Sequence, residues 1–245
     1  MIQKLTLKIL NFFDYFHQKK IINFLKKNNI YKFDIFLDIG AHKGESIKLF
    51  SRNFIIKKIY SFEASPENYK ILSYNIEKIK KDFNDREIII ENYAIGSLNK
   101  KMLLNQFIES SSSTLNRINE KSKYFKKKIK FLDNKNNEKL FNKVEVNQIK
   151  LKDYMLSRNI EIIDFMKIDT EGYEFEVLLG ADDYLSKIKY ILFEHHYDDM
   201  IEKNYRYSDI HNLLVKNNFI RIYKSKMPFR KTFEYIYKNK SHVLF

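Results

Sequence analysis

The stretch Asp38-Ile39-Gly40-Ala41-His42-Lys43-Gly44-Glu45 decides the predicted fold of this chain. It follows the apolar run 33–37 and precedes the helix-like segment 46–50. Strand, glycine-containing loop and helix in this order are typical of a cofactor site, because glycines let the backbone turn sharply and a helix start offers unpaired N–H groups. The sequence therefore predicts a ligand-binding loop over residues 38–45.

Beyond this loop, short apolar runs alternate with helix-like segments. The candidate strands are Ile35–Ile39, Lys58–Phe62, Glu87–Asn92, Asp164–Asp169, Tyr190–Glu194, Phe219–Tyr223 and Phe233–Tyr237. The candidate helices are Glu45–Phe50, Pro66–Lys80, Leu151–Ser157, Tyr173–Leu185 and Ser208–Lys216. Such an alternation predicts an α/β fold in which helices cover a parallel sheet.

The length of 245 residues favours one domain with a large core. We predict an N-terminal helical extension over residues 1–32 and a single domain over residues 33–245. Between about residues 100 and 148 the alternation breaks down without a Pro/Gly linker on either side. We interpret this stretch as an insertion on the substrate side, because inserted loops commonly carry recognition. Its part 133–142 equally fits a charged surface loop.

Composition limits the classes of function. The absence of cysteine excludes disulfides, thiolate metal sites and cysteine nucleophiles. A net charge of +14 would suit nucleic acid, anionic lipid or an acidic substrate. However, abundant Lys, Asn, Ile, Phe and Tyr beside scarce Gly and Pro is what an AT-rich coding sequence produces without selection for charge. We favour this compositional explanation and expect no nucleic-acid partner.

The N-terminal segment has apolar residues at helical spacing. These positions are Ile2, Leu5, Ile9, Phe12, Phe13 and Phe16. Charged residues interrupt the segment, so we predict neither a secretion signal nor a membrane span, and we expect a cytoplasmic location. The segment favours a helix pair that covers the sheet edge or makes a homo-oligomer contact. Its lysines leave peripheral contact with an anionic membrane open.

The glycine spacing restricts the cofactor. The pattern Gly40-x-x-x-Gly44 is neither the dinucleotide motif nor a P-loop, so it suits a ligand without phosphates, such as S-adenosylmethionine. The carboxylate of this ligand can rest on loop N–H groups. Glu63, 23 residues after Gly40, is placed to accept hydrogen bonds from ribose hydroxyls. The predicted cofactor-binding residues are Asp38, Gly40, Ala41, His42, Gly44, Glu63, Ala64, Asn92 and Ala94, the last two beside the adenine.

With these motifs in order, the chain resembles the FkbM-type family of S-adenosylmethionine-dependent methyltransferases over about residues 36–196. The resemblance rests on the segments 36–44, 62–66, 94–97, 110–115, 149–154, 166–174, 178–181 and 193–194, of which 166–174 is the most specific. It implies a Rossmann-like class I fold, with a seven-stranded, mostly parallel sheet whose last strand is antiparallel. It also implies O-methylation, often of sugar or natural-product hydroxyls.

The chemistry requires an aligned acceptor oxygen and, in many cases, removal of its proton. Asp169, at the end of the fourth candidate strand, is predicted to be this base or to orient the hydroxyl. Glu171 suits a site role and a helix cap equally, whereas Glu174 is expected to be solvated. At the end of the fifth strand we favour His195 over His196. Adjacent strand residues point to opposite faces and cannot easily share an ion, so no metal site is predicted.

The leading hypothesis is therefore a methyltransferase that uses S-adenosylmethionine to methylate a hydroxyl of a sugar, a glycan or a related small molecule. An RNA-binding or RNA-modifying protein is the alternative suggested by the net charge and the basic cluster 126–130. Against it, residues 169–172 lack the Asn/Asp-Pro-Pro-aromatic motif of base-amino methyltransferases. A nicotinamide-dependent oxidoreductase shares the fold type but lacks its own glycine pattern.

Overall fold

The computed structural model describes residues 2–107, 112–131 and 140–242, and the side chains of residues 15–107, 112–127 and 140–242. Several predictions lie outside the described side chains. They concern the apolar positions between 2 and 13, the first two residues of the serine run 110–115, lysines 128 and 130, and residues 133–139.

The described residues form twelve strands and seven α-helices. The strands are β1 (Lys32–Ile39), β2 (Ile55–Phe62), β3 (Glu87–Glu91), β4 (Ala94–Gly96), β5 (Lys100–Phe107), β6 (Arg117–Ile118), β7 (Phe141–Lys150), β8 (Ile163–Ile168), β9 (Ile188–His196), β10 (Ile201–Glu202), β11 (Phe219–Lys226) and β12 (Thr232–Asn239). The helices are α1 (Ile2–Lys27), α2 (Glu45–Asn53), α3 (Pro66–Asp82), α4 (Lys123–Phe131), α5 (Leu151–Ser157), α6 (Glu174–Ala181) and α7 (Tyr207–Lys216). Two short 3₁₀ helices span Asp182–Lys187 and Lys240–His242.

A seven-stranded sheet in the order β11-β12-β9-β8-β1-β2-β3 forms the centre of the fold. The pairings β1–β2, β2–β3, β1–β8 and β8–β9 are parallel. Strand β12 pairs with β9 and β11 in the antiparallel sense. The predicted α/β class is confirmed, and the sheet is mixed. Each of its strands overlaps one of the seven candidate strands.

Both faces of the sheet are buried, which explains the nearly continuous apolar runs of its central strands. Phe36 and Phe165 point to one face, where they pack with Phe50 of α2. Leu37 and Met166 point to the other face, which α5, α6 and α7 cover. The parallel strands therefore end together at one edge, where loops and helix starts enclose a cleft.

The N-terminal segment is one continuous helix, α1, rather than the expected helix pair. Its second half packs on a face of the sheet through Ile21 and Leu25, both fully buried. The ring of Phe24 lies 4.5 Å from that of Tyr223 on β11. Among the described residues, no helix combines the length and apolar character needed to cross a membrane.

The stretch 100–148 contains ordered elements that its composition did not predict. Strands β4, β7 and β5 form a second sheet, in which β5 and β7 pair over their length from Lys100↔Gln148 to Phe107↔Phe141. This small sheet packs against α6: a side chain at Gly180 would place its Cβ 2.0 Å from the carbonyl oxygen of Gly96. The stretch is thus attached to the main domain beside the cleft.

Candidate active site

A cleft of about 900 Å³ opens at the carboxyl ends of β1, β2, β8 and β9. Its lining comes from the segments 39–42, 62–64, 93–95, 112–115 and 169–171, and from the single residues Glu45, Ser46, Asn68, Leu104, Tyr124, Lys127, Lys167, Tyr173, Glu194, His196, Asp198, Met200, Met227, Arg230 and Thr232. Every part of the sheet edge contributes, and so does the stretch 100–148. One wall of the cleft is therefore formed by the loop over residues 38–45, which we call the glycine loop. Another wall is formed by the acidic residues at the end of β8.

Gly40 joins these two walls. Its φ is +83°, and a Cβ at this position would lie 1.8 Å from the carbonyl oxygen of Asp169. The Asp169 N–H donates to the Ile39 carbonyl oxygen over 2.9 Å. Gly40 is therefore required by the close approach of the β8 end, as well as by any ligand. Gly44 (φ +91°) lies outside the cleft lining and starts α2.

The N–H groups of the glycine loop bind the end of β2. Those of Gly40 and Ala41 both donate to the Phe62 carbonyl oxygen over 2.9 Å, and that of His42 donates to Glu63 Oε2 over 2.8 Å. All three donors thus have partners within the protein. The first two hold the end of β2 and the third holds the Glu63 carboxylate. The expected contact of a ligand carboxylate with N–H groups of this loop stays a prediction.

Glu63 fits the predicted ribose site. It lines the cleft, and its second oxygen accepts the Ser65 N–H over 2.8 Å. Burial raises the pKa of Glu63 to about 7, although the Ser65 and His42 N–H groups act in the opposite direction. Each carboxylate oxygen has two lone pairs, so both can still accept a ribose hydroxyl. Ala64 and Ala94 lie at the same wall.

Asn92 does not line the cleft, so its predicted place at the adenine edge is corrected. Its Nδ2 donates to the carbonyl oxygens of Glu63 and Ala64, at 2.7 and 3.2 Å. The side chain is thereby turned into the protein, where it supports the end of β2. Asn92 positions Glu63 and contributes to a cofactor site only through it.

Asp38 is fully buried behind the cleft. Among the described residues, neither of its carboxylate oxygens has a hydrogen-bond partner, and Oδ1 lies 3.7 Å from Lys167 Nζ. Burial raises the pKa of Asp38 to about 6, against the opposing charge of Lys167. Lys167 Nζ also donates to Asp169 Oδ2 over 3.1 Å. The structure thus connects Asp38 to the cleft through Lys167, which sequence reasoning missed although a lysine within an apolar strand was visible.

Asp169 lies in the cleft as predicted. Burial tends to raise its pKa, but the charge and hydrogen bond of Lys167 hold the pKa of Asp169 below its usual value. The carboxylate therefore stays ionised and can accept a hydrogen bond from a hydroxyl. A lowered pKa makes it a weak proton acceptor.

Glu171 also faces the cleft and does not cap a helix, because α6 begins only at Glu174. It has a left-handed φ of 50°, which is unusual for a residue other than glycine. The Thr114 hydroxyl donates to its carbonyl oxygen over 2.7 Å, and Asn116 Nδ2 donates to the Gly172 carbonyl oxygen over 2.5 Å. The stretch 100–148 thus fixes the conformation of residues 169–172, which we call the acidic loop.

Glu174 is fully buried, which corrects the expectation that it is solvated. Its carboxylate accepts the Gly172 N–H over 2.8 Å, the Thr170 hydroxyl over 3.2 Å and the Tyr205 hydroxyl over 2.5 Å. These bonds hold the turn between β8 and α6. Glu174 has a structural role that supports Glu171.

His196 is the histidine that lines the cleft, and three carboxylates surround it. Its Nε2 lies 3.1 Å from Glu194 Oε1 and 3.4 Å from Glu171 Oε2, and its Nδ1 lies 3.6 Å from Asp198 Oδ2. Burial would lower the pKa of His196, but the carboxylates, Glu171 foremost, hold it well above the usual value. Burial and the charge of Asp169 raise the pKa of Glu194. The cleft thus contains an imidazolium next to a carboxylate of increased proton affinity.

His195 does not line the cleft, so the structure corrects the choice between the two histidines. It points to the opposite face of β9, where its ring centroid lies 4.8 Å from that of Tyr197 and 5.8 Å from that of Tyr205. Burial lowers the pKa of His195 to about 3, so this side chain is neutral. The alternation of side chains along a strand separates these neighbours in sequence.

Four further residues line the cleft near the acidic residues, and of these the sequence analysis had noted only Lys127, as part of the basic cluster 126–130. Tyr124 and Lys127 come from α4, and Met227 and Arg230 come from the hairpin between β11 and β12. Burial raises the pKa of Tyr124, so its hydroxyl keeps its proton. No local motif marks these positions, because only the tertiary fold brings α4 and the last hairpin to the cleft.

Residues 38–221 match the family model described as the methyltransferase FkbM domain. No curated protein matches the chain. Magnesium protoporphyrin IX methyltransferase from Synechocystis PCC 6803, solved with bound S-adenosylmethionine, is 9% identical with a TM-score of 0.53, and the similarity covers 95% of this chain and 83% of that one. A protein of the NADB-Rossmann superfamily from Streptococcus agalactiae is 13% identical (TM-score 0.50; 93% and 69% covered). Methyltransferase FkbM from Methylobacillus flagellatus KT is 16% identical (TM-score 0.49; 83% covered), and the chain spans 43% of its length.

Proposed function

The chain belongs to the family of FkbM methyltransferase domains, and we propose that it methylates a hydroxyl of a sugar, a glycan or a related small molecule. S-adenosylmethionine is the methyl donor of this family. One observation carries the proposal: Glu63 and the acidic cluster around His196 face the same cleft. A ribose-binding carboxylate on one wall and a proton-accepting group on the other are what methyl transfer to a hydroxyl requires.

The first wall would hold the cofactor. Glu63 would accept the ribose hydroxyls, while Ala41, Ala64 and Ala94 provide apolar surface in the lining. When bound, S-adenosylmethionine supplies a methyl group on a sulfonium sulfur that an oxygen can attack in line. His42 contributes its backbone N–H by holding Glu63 in place.

The second wall would hold the acceptor hydroxyl. Asp169 is ionised and lines the cleft, so it would accept the hydrogen bond of the hydroxyl and orient its oxygen. Glu194 would take the proton, because a carboxylate with a raised pKa is the better acceptor near neutral pH. The adjacent His196 imidazolium would stabilise ionised Glu194 before the transfer, and Glu171 would hold His196.

The test is transfer of a labelled methyl group into fractionated glycans and small molecules of the source cell. We expect label in a hydroxylated small molecule or glycan, and its loss in Asp169→Asn and Glu194→Gln. Binding of S-adenosylhomocysteine, measured by calorimetry, should persist in both variants. Label in RNA or protein without labelled glycan or small molecule would overturn the acceptor assignment.

The family match replaces the nicotinamide-dependent alternative. The RNA alternative has one structural observation in its favour, the two cations Lys127 and Arg230 in the cleft lining. Steeply salt-dependent RNA binding would support it. A cytoplasmic location, a homo-oligomer and membrane contact through α1 are further proposals, which fractionation, light scattering and vesicle sedimentation would test.

A further inference from the structure

A buried hydrogen bond joins the N-terminal helix to the last strand of the sheet. Nε2 of His17 on α1 lies 2.5 Å from Oε2 of Glu234 on β12, and the side chains are 1% and 3% exposed. Gln18 Nε2 donates to the other oxygen of Glu234 over 3.3 Å. Both oxygens of this carboxylate thus have a partner on α1. The methyl-transfer roles above make no use of the pair, and both residues lie outside the matched range 38–221.

Glu234 lies next to the proposed proton acceptor. In the β12–β9 register it stands directly opposite Glu194, and both side chains are buried. Two carboxylates in such positions repel each other, since like charges across a strand pair are destabilising. The charge of Glu234 also acts on Lys167 of β8. A buried carboxylate keeps its charge only where donors or cations compensate for lost hydration, and His17 is a donor of this kind.

The groups that face Glu194 can be enumerated by element. They are Asp169 from the β8 end, His196 on β9 itself, and Glu234 from β12. Behind them, Lys167 acts on Asp169 and Glu234, Glu171 contacts His196, and His17 of α1 contacts Glu234. On β11, the register partner of Glu234 is Ser225, which is uncharged. Helix α1 can therefore act on the acidic cluster around His196 through His17 and Glu234.

We propose that His17 is a positioning residue of the active site, which fixes the Glu234 carboxylate opposite Glu194 so that Glu234 acts on the proposed proton acceptor. The inference rests on the proposed function in one respect only, namely that Glu194 takes the proton of the acceptor hydroxyl. Helix α1 then contributes to the electrostatics of the cleft, in addition to covering the sheet.

The test is a carbon-13 NMR titration of the glutamate side-chain carboxyls in the full chain, with the Glu194 signal assigned by its loss in Glu194→Gln. We expect Glu234→Gln to lower the titration midpoint of Glu194 by roughly one pH unit, because it removes a nearby negative charge. His17→Phe should shift the midpoint in the same direction, since the Glu234 carboxylate then loses the partner that fixes it opposite Glu194. His17→Gln, which retains a donor, should shift it less.

The double variant His17→Phe/Glu234→Gln tests whether His17 acts on Glu194 through Glu234. If His17 acts through Glu234, the double variant has the midpoint of Glu234→Gln alone. Additive shifts, or an unchanged midpoint in His17→Phe, would overturn the proposal. Ile21→Val, at a buried apolar position of the same helix, should leave the midpoint unchanged. If His17→Phe does not fold, Glu234→Gln and His17→Gln still decide the case, since an unchanged midpoint in both contradicts it. The titration uses neither acceptor nor methyl donor, so its outcome is independent of methyl transfer.

Discussion

The two walls of the cleft are built in different ways. The wall that we propose for the cofactor, called the cofactor wall, consists of the two short segments 39–42 and 62–64. Backbone N–H groups hold these two segments together. The wall that we propose for the acceptor, called the acceptor wall, combines side chains from the ends of β8 and β9, from α4, from the stretch 112–115 and from the last hairpin, many of them charged. Local backbone geometry can be recognised in a sequence, whereas charges brought together by the fold cannot.

Gly40→Ala should have the largest effect, because Gly40 connects the walls. The added Cβ would lie 1.8 Å from a backbone oxygen of Asp169, at a φ that side chains rarely adopt. We expect a loss of unfolding free energy on the order of 3 kcal/mol or more, measured by urea unfolding. Gly44→Ala is the matched control: its nearest neighbour is the flexible Leu72 Cδ1 at 3.1 Å. Equal losses in the two variants would contradict a special role for Gly40.

Substitutions at the two adjacent histidines distinguish the acceptor wall from the protein core behind it. His196→Ala should reduce methyl transfer roughly 100-fold, within the range of general acid–base groups, since it removes the cation next to Glu194. His195→Gln should reduce methyl transfer much less, because His195 faces the tyrosine cluster. Both variants should retain S-adenosylhomocysteine binding. If His195→Gln reduced labelled methyl transfer more than His196→Ala, the result would favour His195, as predicted from the sequence.

The same contrast explains what could be predicted from the sequence. Short apolar runs located the strands of the main sheet, most clearly the central ones, because strands buried on both faces require such runs. They did not locate β5 and β7, in which charged and amide side chains interrupt the apolar residues. Glu63 was found from its spacing to Gly40. The pKa of Glu194 depends on Asp169 and Glu234, and that of His196 on Glu171, and the fold brings these groups together from distant parts of the sequence.

Glu63→Gln tests the cofactor wall alone. It replaces a charged acceptor by a neutral amide, and hydrogen bonds to charged groups are worth about 1.5–3 kcal/mol, so S-adenosylhomocysteine affinity should fall at least roughly tenfold. Calorimetry measures the change. Glu91→Gln is the control, because Glu91 pairs with Arg158 away from the cleft lining. An unchanged affinity in Glu63→Gln would refute the ribose assignment.

The pH dependence of binding follows from the same carboxylate. Because the pKa of Glu63 is raised to about 7, its ionised form is lost as the pH falls through this value. Affinity for S-adenosylhomocysteine should therefore be full at pH 8 and decrease several-fold by pH 6. In Glu63→Gln the affinity should be flat over this interval. A decrease that persists in the variant would assign the titration to another group.

Thr114→Val should have the smallest effect and should act on the acceptor wall only. It removes the hydroxyl that donates to the Glu171 carbonyl oxygen, at a cost of about 1 kcal/mol in unfolding free energy. Because Glu171 contacts His196, methyl transfer should slow a few-fold while S-adenosylhomocysteine affinity stays constant. Ser73→Ala, which removes a hydroxyl bonded to the Tyr69 carbonyl oxygen in α3, should leave methyl transfer unchanged. If Thr114→Val weakened cofactor binding instead, the two walls would be coupled through the acidic loop, since Gly40 packs against its first residue, Asp169.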